Sequence, residues 1–175
     1  MPAVNDANLL VFGKIVHLYA QIEWGVRSML AGILETPLVE ALVASEPYSA
    51  SALKNVVKSA TKLSRLSTGE QEEIIQIVGN WGAFAGLRNA IAHRRWETGT
   101  RPDSIRPVGI DIRSGKPVMI GDTEDRDWIE AELLAEAQKL HELNQRAIAF
   151  YHDSGMADAI GARDKERILF TVKRA

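Results

Sequence analysis

The regular spacing of apolar residues near the start of the chain constrains the fold more than any other feature. Between Asn5 and Glu35 they recur at steps of three and four, which is the period of an α-helix with one buried face. These apolar positions are Phe12, Val16, Tyr19, Ile22, Val26, Met29 and Ile33. Asn5 or Asp6 can cap this helix. Such a long helix needs neighbours that cover its apolar face, so the pattern predicts a mainly helical protein.

Helix start signals then predict two shorter helices. Thr36 and Pro37 are typical of an N-cap followed by the first helical position, and they open a short second helix. Ser49 or Ser51 caps a third helix that runs to about Arg65.

The fourth predicted helix, which we call the motif helix, carries the most informative segment. Ser67–Glu70 is a capping box, in which the serine and glutamate side chains bond each other's backbone amides. Gly99 and Pro102 follow the apolar pattern. We therefore expect the motif helix to begin at Ser67 and to reach about Glu97.

The pattern changes from a helical period to alternation at Ser104. Val108, Ile110 and Ile112 alternate with residues that are not large and apolar, and a Ser-Gly-Lys turn follows at 114–116. Alternation on either side of a turn is typical of a β-hairpin. Residues 104–121 are therefore predicted to form a hairpin insertion.

The last third of the chain predicts one more long helix and a terminal strand. Thr123 caps a helix whose apolar positions run from Trp128 to about His152, and the apolar run in residues 166–174 predicts a short strand that joins the hairpin. The predicted fold is mainly α, an up-and-down helical bundle with a small β-hairpin before the last long helix and a short C-terminal strand. We interpret residues 1–175 as a single domain.

Composition and charge exclude several classes of protein. The chain has no cysteine, which excludes disulfides, zinc-thiolate sites and thiol catalysis. Its formal net charge is −2, unlike a strongly basic nucleic-acid binder. The first residues do not resemble a signal peptide, and no apolar run approaches the ~20 residues that span a bilayer. We expect a cytoplasmic protein without a membrane partner.

Several common enzyme signatures are missing from the sequence. The run His141–Gln145 resembles the zinc-protease H-E-x-x-H motif, but glutamine stands where the second histidine is needed. The chain has no phosphate-binding loop and no dinucleotide fingerprint. The sequence therefore predicts neither a metal site nor a cofactor.

A local concentration of positive charge marks the end of the motif helix. No acidic residue occurs between Glu73 and Glu97, whereas Arg88, Arg94 and Arg95 lie close to His93. Such a cluster in an acidic protein is suited to phosphate. A second interpretation of Arg94 and Arg95 is that cations favour a helix C-terminus through the helix dipole.

A stripe of small residues runs along the same predicted helix. Gly79, Ala83, Gly86 and Ala90 are spaced four, three and four, and the next step of three reaches His93. Glycine costs roughly 1 kcal/mol relative to alanine inside a helix, so two on one face indicate very close packing. The stripe favours either a homodimer, with both copies of His93 near the two-fold axis, or close packing within one chain.

The segment Arg88-Asn89-Ala90-Ile91-Ala92-His93 resembles the R-x(4–6)-H motif of the HEPN superfamily, in its common R-N-x-x-x-H form. The resemblance covers roughly residues 5–152, since family members are helical bundles with the motif on a late core helix. Many such domains are metal-independent ribonucleases, in which paired motifs of a dimer form one cleft. The resemblance does not indicate a subfamily.

The resemblance implies a role for each motif residue. His93 is the acid/base group, Arg88 stabilises the phosphate, and Asn89 positions the site or His93. Imidazole exchanges protons near neutral pH, and a guanidinium can hold charge that develops on phosphorus oxygens. Arg94 and Arg95 are candidate RNA contacts. The expected products are a 2′,3′-cyclic phosphate and a 5′-hydroxyl.

Two residues of the first helix are candidates for a supporting role, namely Glu23 and Tyr19. Glu23 lies four residues after Tyr19 and four before Arg27. It either reaches the motif helix or forms a solvated i, i+4 pair with Arg27.

Such ribonucleases often serve as toxins or in phage defence, so an RNA substrate and an antitoxin or other partner protein are expected. The alternative is a non-catalytic module of the same fold that dimerises or binds a ligand. A third interpretation is a structural bundle in which Arg88 and His93 satisfy hydrogen bonds in the core or at an interface.

Overall fold

The computed structural model describes residues 4–113, 116–120 and 127–172, and it describes only the backbone at 111–113, 118–120 and 167–172. The protein is mainly helical, with a small antiparallel sheet before the long helix α6. Its helices are α1 (Asp6–Ile33), α2 (Leu38–Ser45), α3 (Ala50–Leu63), α4 (Thr68–Ala83), α5 (Ala85–His93), α6 (Glu130–Asp153) and α7 (Met156–Val172). Its strands are β1 (Arg95–Thr98), β2 (Ser104–Arg113), β3 (Lys116–Ile120) and β4 (Trp128–Ile129).

The chain groups into two compact units. The first unit consists of Met1–Tyr19 and Phe84–His141, and the second of Ala20–Ala83 and Glu142–Ala175. The first unit therefore contains the motif segment and the sheet. The interpretation of residues 1–175 as one domain stays a prediction.

Helix α1 confirms the apolar pattern from which the fold was predicted. Of the seven predicted apolar positions, Phe12, Tyr19, Ile22, Val26, Met29 and Ile33 are buried, and Val16 is partly buried. The buried side chains in the first unit also include Val11, Ile15, Ala90, Ile105, Leu133 and Leu140. Burial of these side chains supplies the main driving force for folding of that unit.

The two predicted serine caps are both formed. Ser49 precedes α3, and its side chain accepts a hydrogen bond from the amide of Ala52 at 3.3 Å. The backbone amide of Ser67 donates to Glu70 Oε2 at 2.8 Å, and the amide of Glu70 donates to Ser67 Oγ at 3.3 Å. This reciprocal pair is the capping box. The hydrogen bonds from the Ser67 side chain and amide lower the pKa of Glu70.

The predicted hairpin is formed by β2 and β3, and it belongs to a larger sheet. These two strands pair antiparallel, with Gly109 opposite Ile120. Strands β1 and β4 also pair antiparallel with β2. The pairing of β1 with β2 places Trp96 opposite Pro107. Residues 114, 115 and 121 of the predicted hairpin lie outside the described residues.

The predicted C-terminal strand is wrong, because residues 166–172 belong to helix α7. A short apolar run does not distinguish a strand from a helix. Here no glycine or proline separates the run from the helical residues that precede it, so the helix continues.

Asp164 of this helix accepts a hydrogen bond from the amide of Leu38, the first residue of α2, at 3.1 Å. A distant carboxylate thus supplies the cap that we predicted for Thr36. Residues 173 and 174 lie outside the described residues.

The start of the last predicted helix also differs from expectation. Trp128 was predicted to lie in that helix, but it pairs in β4 with Ile105, and α6 begins at Glu130. The predicted cap at Thr123 lies outside the described residues.

Among the described helices, none is by itself both long and apolar enough to cross a membrane. Helices α1 and α2 meet that measure only when taken together, and the chain bends by 118° between them.

Candidate functional site

The motif helix is not continuous, which corrects the prediction of one helix from Ser67 to Glu97. Helix α4 ends at Ala83, and α5 begins at Ala85 after a turn residue, Phe84, with φ −83° and ψ −7°. Gly79, Gly82 and Gly86 surround the break. Several glycines close together weaken a helix locally. The spacing of apolar residues was judged over the whole segment, so it did not reveal the break.

Helix α5 ends at His93 rather than near Glu97, because the residues that follow pair with the sheet. Arg94 is extended (φ −108°, ψ 152°), and its amide donates to the carbonyl of Ala90. The indole Nε1–H of Trp96 also donates to that carbonyl, at 3.2 Å, and its ring lies 4.7 Å from that of Phe12. The carbonyl of Ala90 thus accepts two hydrogen bonds, one from the backbone and one from the indole of Trp96. The aromatic residue Trp96 and the β-branched residue Thr98 could have indicated this strand, which was not predicted.

Arg88 is fixed in place by two neighbours. Its guanidinium carbon lies 5.7 Å from the centroid of the Tyr19 ring, in the range of a cation–π contact. Its Nη1 donates to Asn89 Oδ1 at 3.0 Å. Tyr19 is only 2% exposed, so it offers Arg88 a rigid surface. The structure thus brings together three predicted site residues, and it places the Asn89 side chain on Arg88 rather than on His93.

Arg88 differs from several other arginines in its lack of an acidic partner. Arg27, Arg101 and Arg146 each bond a glutamate at 2.5–2.7 Å. Arg88 is partly buried and makes no ion pair with any residue that the structure describes. A guanidinium has five N–H donors, and Asn89 occupies one. The others are available to an anion from outside the chain.

His93 is the last residue of α5 and is exposed. It forms no hydrogen bond or ion pair within residues 4–113, 116–120 and 127–172. Both ring nitrogens are therefore open to an incoming group. This arrangement does not agree with an interpretation in which His93 satisfies a hydrogen bond in the core of the described chain.

The two arginines after the motif lie in different surroundings. Arg95 is exposed in β1 and pairs with Glu97, with Nη2 3.0 Å from Oε1. Its charge is therefore partly balanced. Arg94 is partly buried at the C-cap position of α5. Their predicted contact with RNA stays a prediction.

Glu23 forms an ion pair with Arg27, four residues later on the same helix, as one of its two interpretations predicted. Its Oε1 lies 2.7 Å from Arg27 Nη2, and both side chains are largely shielded from solvent. Arg27 also donates to the backbone carbonyl of Ser45 at the end of α2. This contact gives Glu23 a structural function, which is to hold Arg27 against α2.

The stripe of small residues is divided between two helices. Gly79 and Ala83 lie on α4, whereas Gly86 and Ala90 lie on α5. The Cβ position of Gly79 is 3.8 Å from Lys58 Nζ, and Ala90 is buried. Ala83 and Gly86 are exposed, and a Cβ added at Gly86 would meet nothing within 4 Å. Part of the stripe therefore packs within the chain, and part remains open to a partner.

The sequence did not indicate the anchoring role of Asp127. Its Oδ2 accepts hydrogen bonds from the Thr100 hydroxyl at 2.6 Å and from the amides of Thr100 and Arg101 at 2.5 and 2.9 Å. The Thr100 hydroxyl and the Arg101 amide are the main reasons why the pKa of Asp127 falls from 3.8 to about 2. A Cβ at Gly99 would lie 2.8 Å from Asp127 Cγ, so only glycine permits this approach. Asp127 thus joins the loop after β1 to the chain before α6.

In the described part of the chain, no three His, Asp or Glu side chains are grouped so that they could hold a metal ion. No family model matches the chain, and neither a curated protein nor a solved structure is significantly similar to it.

Proposed function

We propose that the protein is a HEPN-type, metal-independent endoribonuclease that acts as a dimer on RNA. Arg88 and His93 carry the reaction, and Asn89 orients Arg88. The observation that carries the proposal is the partly buried guanidinium of Arg88, which has no acidic partner in the described chain and lies on the same short helix as an exposed histidine.

The environment of Arg88 suits a phosphate. Tyr19 and Asn89 restrict its side chain, so little conformational entropy is lost when an anion binds. Arginine donates parallel hydrogen bonds to two phosphate oxygens, and the contact is strongest where water is partly excluded. Arg88 therefore stabilises the negative charge that increases on the phosphate in the transition state.

The exposed imidazole of His93 supplies the proton transfer. As a base, one ring nitrogen takes the proton from a ribose 2′-hydroxyl, and the 2′-oxygen attacks phosphorus. The bond from phosphorus to the 5′-oxygen breaks, and that oxygen receives a proton. In a dimer the His93 of the second copy acts as the general acid that delivers it. The products are a 2′,3′-cyclic phosphate and a 5′-hydroxyl.

The proposed dimer uses the exposed part of the Gly79/Ala83/Gly86/Ala90 stripe. Gly86 of α5 is exposed and has no side chain, which allows a second helix to approach closely. A two-fold axis near this surface brings two copies of α5 together, so each motif meets its symmetry mate. An antitoxin-like partner would act by covering His93.

The test compares wild type with His93→Ala on total RNA and on a short defined RNA, with and without EDTA. His141→Ala is the matched control, because His141 is also an exposed helical histidine of the first unit. We expect wild type and His141→Ala to cleave in EDTA and to leave cyclic phosphate ends. His93→Ala should melt like wild type and leave the RNA intact.

Equal cleavage by wild type and His93→Ala would reject the proposal, because a contaminating nuclease would then explain the activity. Intact RNA in every reaction, with all proteins folded and dimeric, would instead favour the non-catalytic module. A lower melting temperature for His93→Ala alone would favour the structural bundle.

A further inference from the structure

A cavity of about 370 Å³ in the second unit lies between residues 21–28 of α1 and residues 144–152 of α6. Its size falls within the ~300–1,000 Å³ of ligand-binding pockets. Its lining is mostly apolar and includes three rings, those of Trp24, Tyr151 and His152. The cavity contains no residue of the R-N-x-x-x-H motif, so the proposed function does not explain it.

The polar groups of the lining include two neighbouring amide side chains, those of Gln21 and Asn144. Asn144 Nδ2 donates to Gln21 Oε1 at 3.2 Å. This bond leaves one donor group, Gln21 Nε2, beside one acceptor, Asn144 Oδ1, and neither bonds another described residue. Asn144 is only 6% exposed. A ligand that donates to Asn144 Oδ1 would therefore give this atom a hydrogen-bond partner that no described residue supplies.

The rings of the lining add a surface for stacking. The Trp24 side chain is 56% exposed, although tryptophan is usually well covered in a folded chain. Tyr151 and His152 meet edge to face, with ring centroids 5.7 Å apart. Burial raises the pKa of Tyr151, so its phenol stays neutral. The described lining includes no Lys, Arg, Asp or Glu, which favours a ligand group without charge.

We propose that this cavity binds a nucleobase. A base is a neutral planar ring that stacks on tryptophan, and its edge carries adjacent donors and acceptors that match the free groups of Gln21 and Asn144. The base belongs either to a free nucleoside or to an unpaired position in an RNA strand. The proposal stands on the second unit alone and does not depend on cleavage by His93.

Gly25 gives a sharp test, because it lines the cavity and a Cβ added there would meet nothing within 4 Å. Gly25→Leu therefore places an apolar side chain in the cavity, and its Cβ displaces no neighbour. Gly13→Leu is the matched control, since Gly13 lies on the same helix, outside this cavity, and also has open space at its Cβ. Both changes replace a helical glycine with a better helix former, so both variants should fold.

The experiment measures saturation-transfer NMR with adenosine, guanosine, cytidine and uridine, and fluorescence titration with a labelled single-stranded RNA. All proteins carry His93→Ala, so that the RNA is not cut. We expect saturable binding of at least one probe. Gly25→Leu should abolish it, Gly13→Leu should retain it, and Trp24→Ala should weaken it by ~5-fold or more.

The pattern of binding identifies the source of the base. Binding of nucleosides indicates a free small molecule, and binding of RNA without nucleosides indicates a base in a strand. Binding that survives in folded Gly25→Leu would overturn the proposal, as would the lack of saturable binding for all five probes. Neither of these outcomes affects the cleavage test for His93.

Discussion

The guanidinium of Arg88 lies 5.7 Å from the centre of the Tyr19 ring, so a residue near the middle of α1 determines where a cation on α5 is held. Tyr19 is almost fully buried, whereas Arg88 is partly exposed. The buried ring of Tyr19 therefore holds the positively charged guanidinium of Arg88 near the surface.

Replacement of Arg88 should reduce RNA cleavage much more than it reduces stability. We expect Arg88→Ala to lower kcat/KM by ~10²-fold or more, because the charge that stabilises the transition state is lost. The loss of the cation–π contact should cost only about 1 kcal/mol of unfolding free energy. Arg88→Lys should recover part of the activity, because it keeps the charge without the paired donors.

Arg65→Ala is the matched control for that prediction, since Arg65 is an exposed arginine outside the first unit. Cleavage kinetics and urea denaturation of the three variants provide the comparison. Wild-type rates in Arg88→Ala would show that the guanidinium does not contact the reacting phosphate.

A bulky side chain at Gly86 should separate the proposed dimer without unfolding the chain. Gly86 is exposed, and a Cβ there meets nothing within 4 Å of the same chain. We expect Gly86→Leu to sediment as a monomer at micromolar concentration and to lose cleavage. Gly13→Leu should remain dimeric and active. A dimer that persists in Gly86→Leu would place the interface elsewhere.

Trp96 should contribute strongly to the stability of the first unit. Trp96→Ala removes the ring contact with Phe12 and the hydrogen bond to the carbonyl of Ala90. Because Trp96 is only partly buried, we expect a loss of about 2–3 kcal/mol, somewhat below the range for fully buried aromatic residues. The exposed Trp24 is the control, and Trp24→Ala should cost about 0.5 kcal/mol or less. Equal losses in denaturant titrations would contradict this assignment.

Asp127 should make stability depend on pH in the acidic range. Its pKa is about 2 in the folded protein and 3.8 for the free side chain, so the unfolded chain binds the proton more tightly. The stabilisation from Asp127 is therefore complete above about pH 4 and is lost as the pH falls toward 2. Its exposure to solvent limits the size of this effect.

The measurement is the melting temperature of wild type and Asp127→Asn at pH 7, 4 and 2. Glu70 and Glu73 also have lowered pKa values, so only the difference between the two proteins reports on Asp127. That difference should be largest at pH 7 and should nearly vanish at pH 2. A constant difference would mean that the carboxylate charge does not matter.

Sequence patterns predicted the helical elements well where local signals agreed with burial. The period of α1 and the capping box at Ser67 need only residues close in sequence, so both could be predicted. The end of α5 depends on Trp96 reaching Phe12, more than eighty positions away, and on a strand partner in β2. The Asp127 contacts also join segments more than twenty residues apart, so local sequence patterns did not reveal them.

The candidate site was also predicted only in part, because some of its contacts have no local sequence signal. The spacing of Arg88 and His93 was visible in the sequence, and Tyr19, a candidate for a supporting role, lies beside Arg88. The contact of Asn89 with Arg88 was not predicted, because adjacent helical residues usually point in different directions. The pair of Glu23 with Arg27 was among the interpretations given for Glu23, because the two residues lie four apart on one helix.

Only Arg94 separates the last residue of α5 from the first residue of β1. A helix advances by ~1.5 Å per residue and a strand by ~3.3 Å, and strand side chains alternate between faces. One extra residue between His93 and Trp96 would turn the indole away from Phe12 or move the imidazole. Selection should therefore eliminate insertions and deletions at Arg94 and Arg95, because they change the spacing between His93 and Trp96.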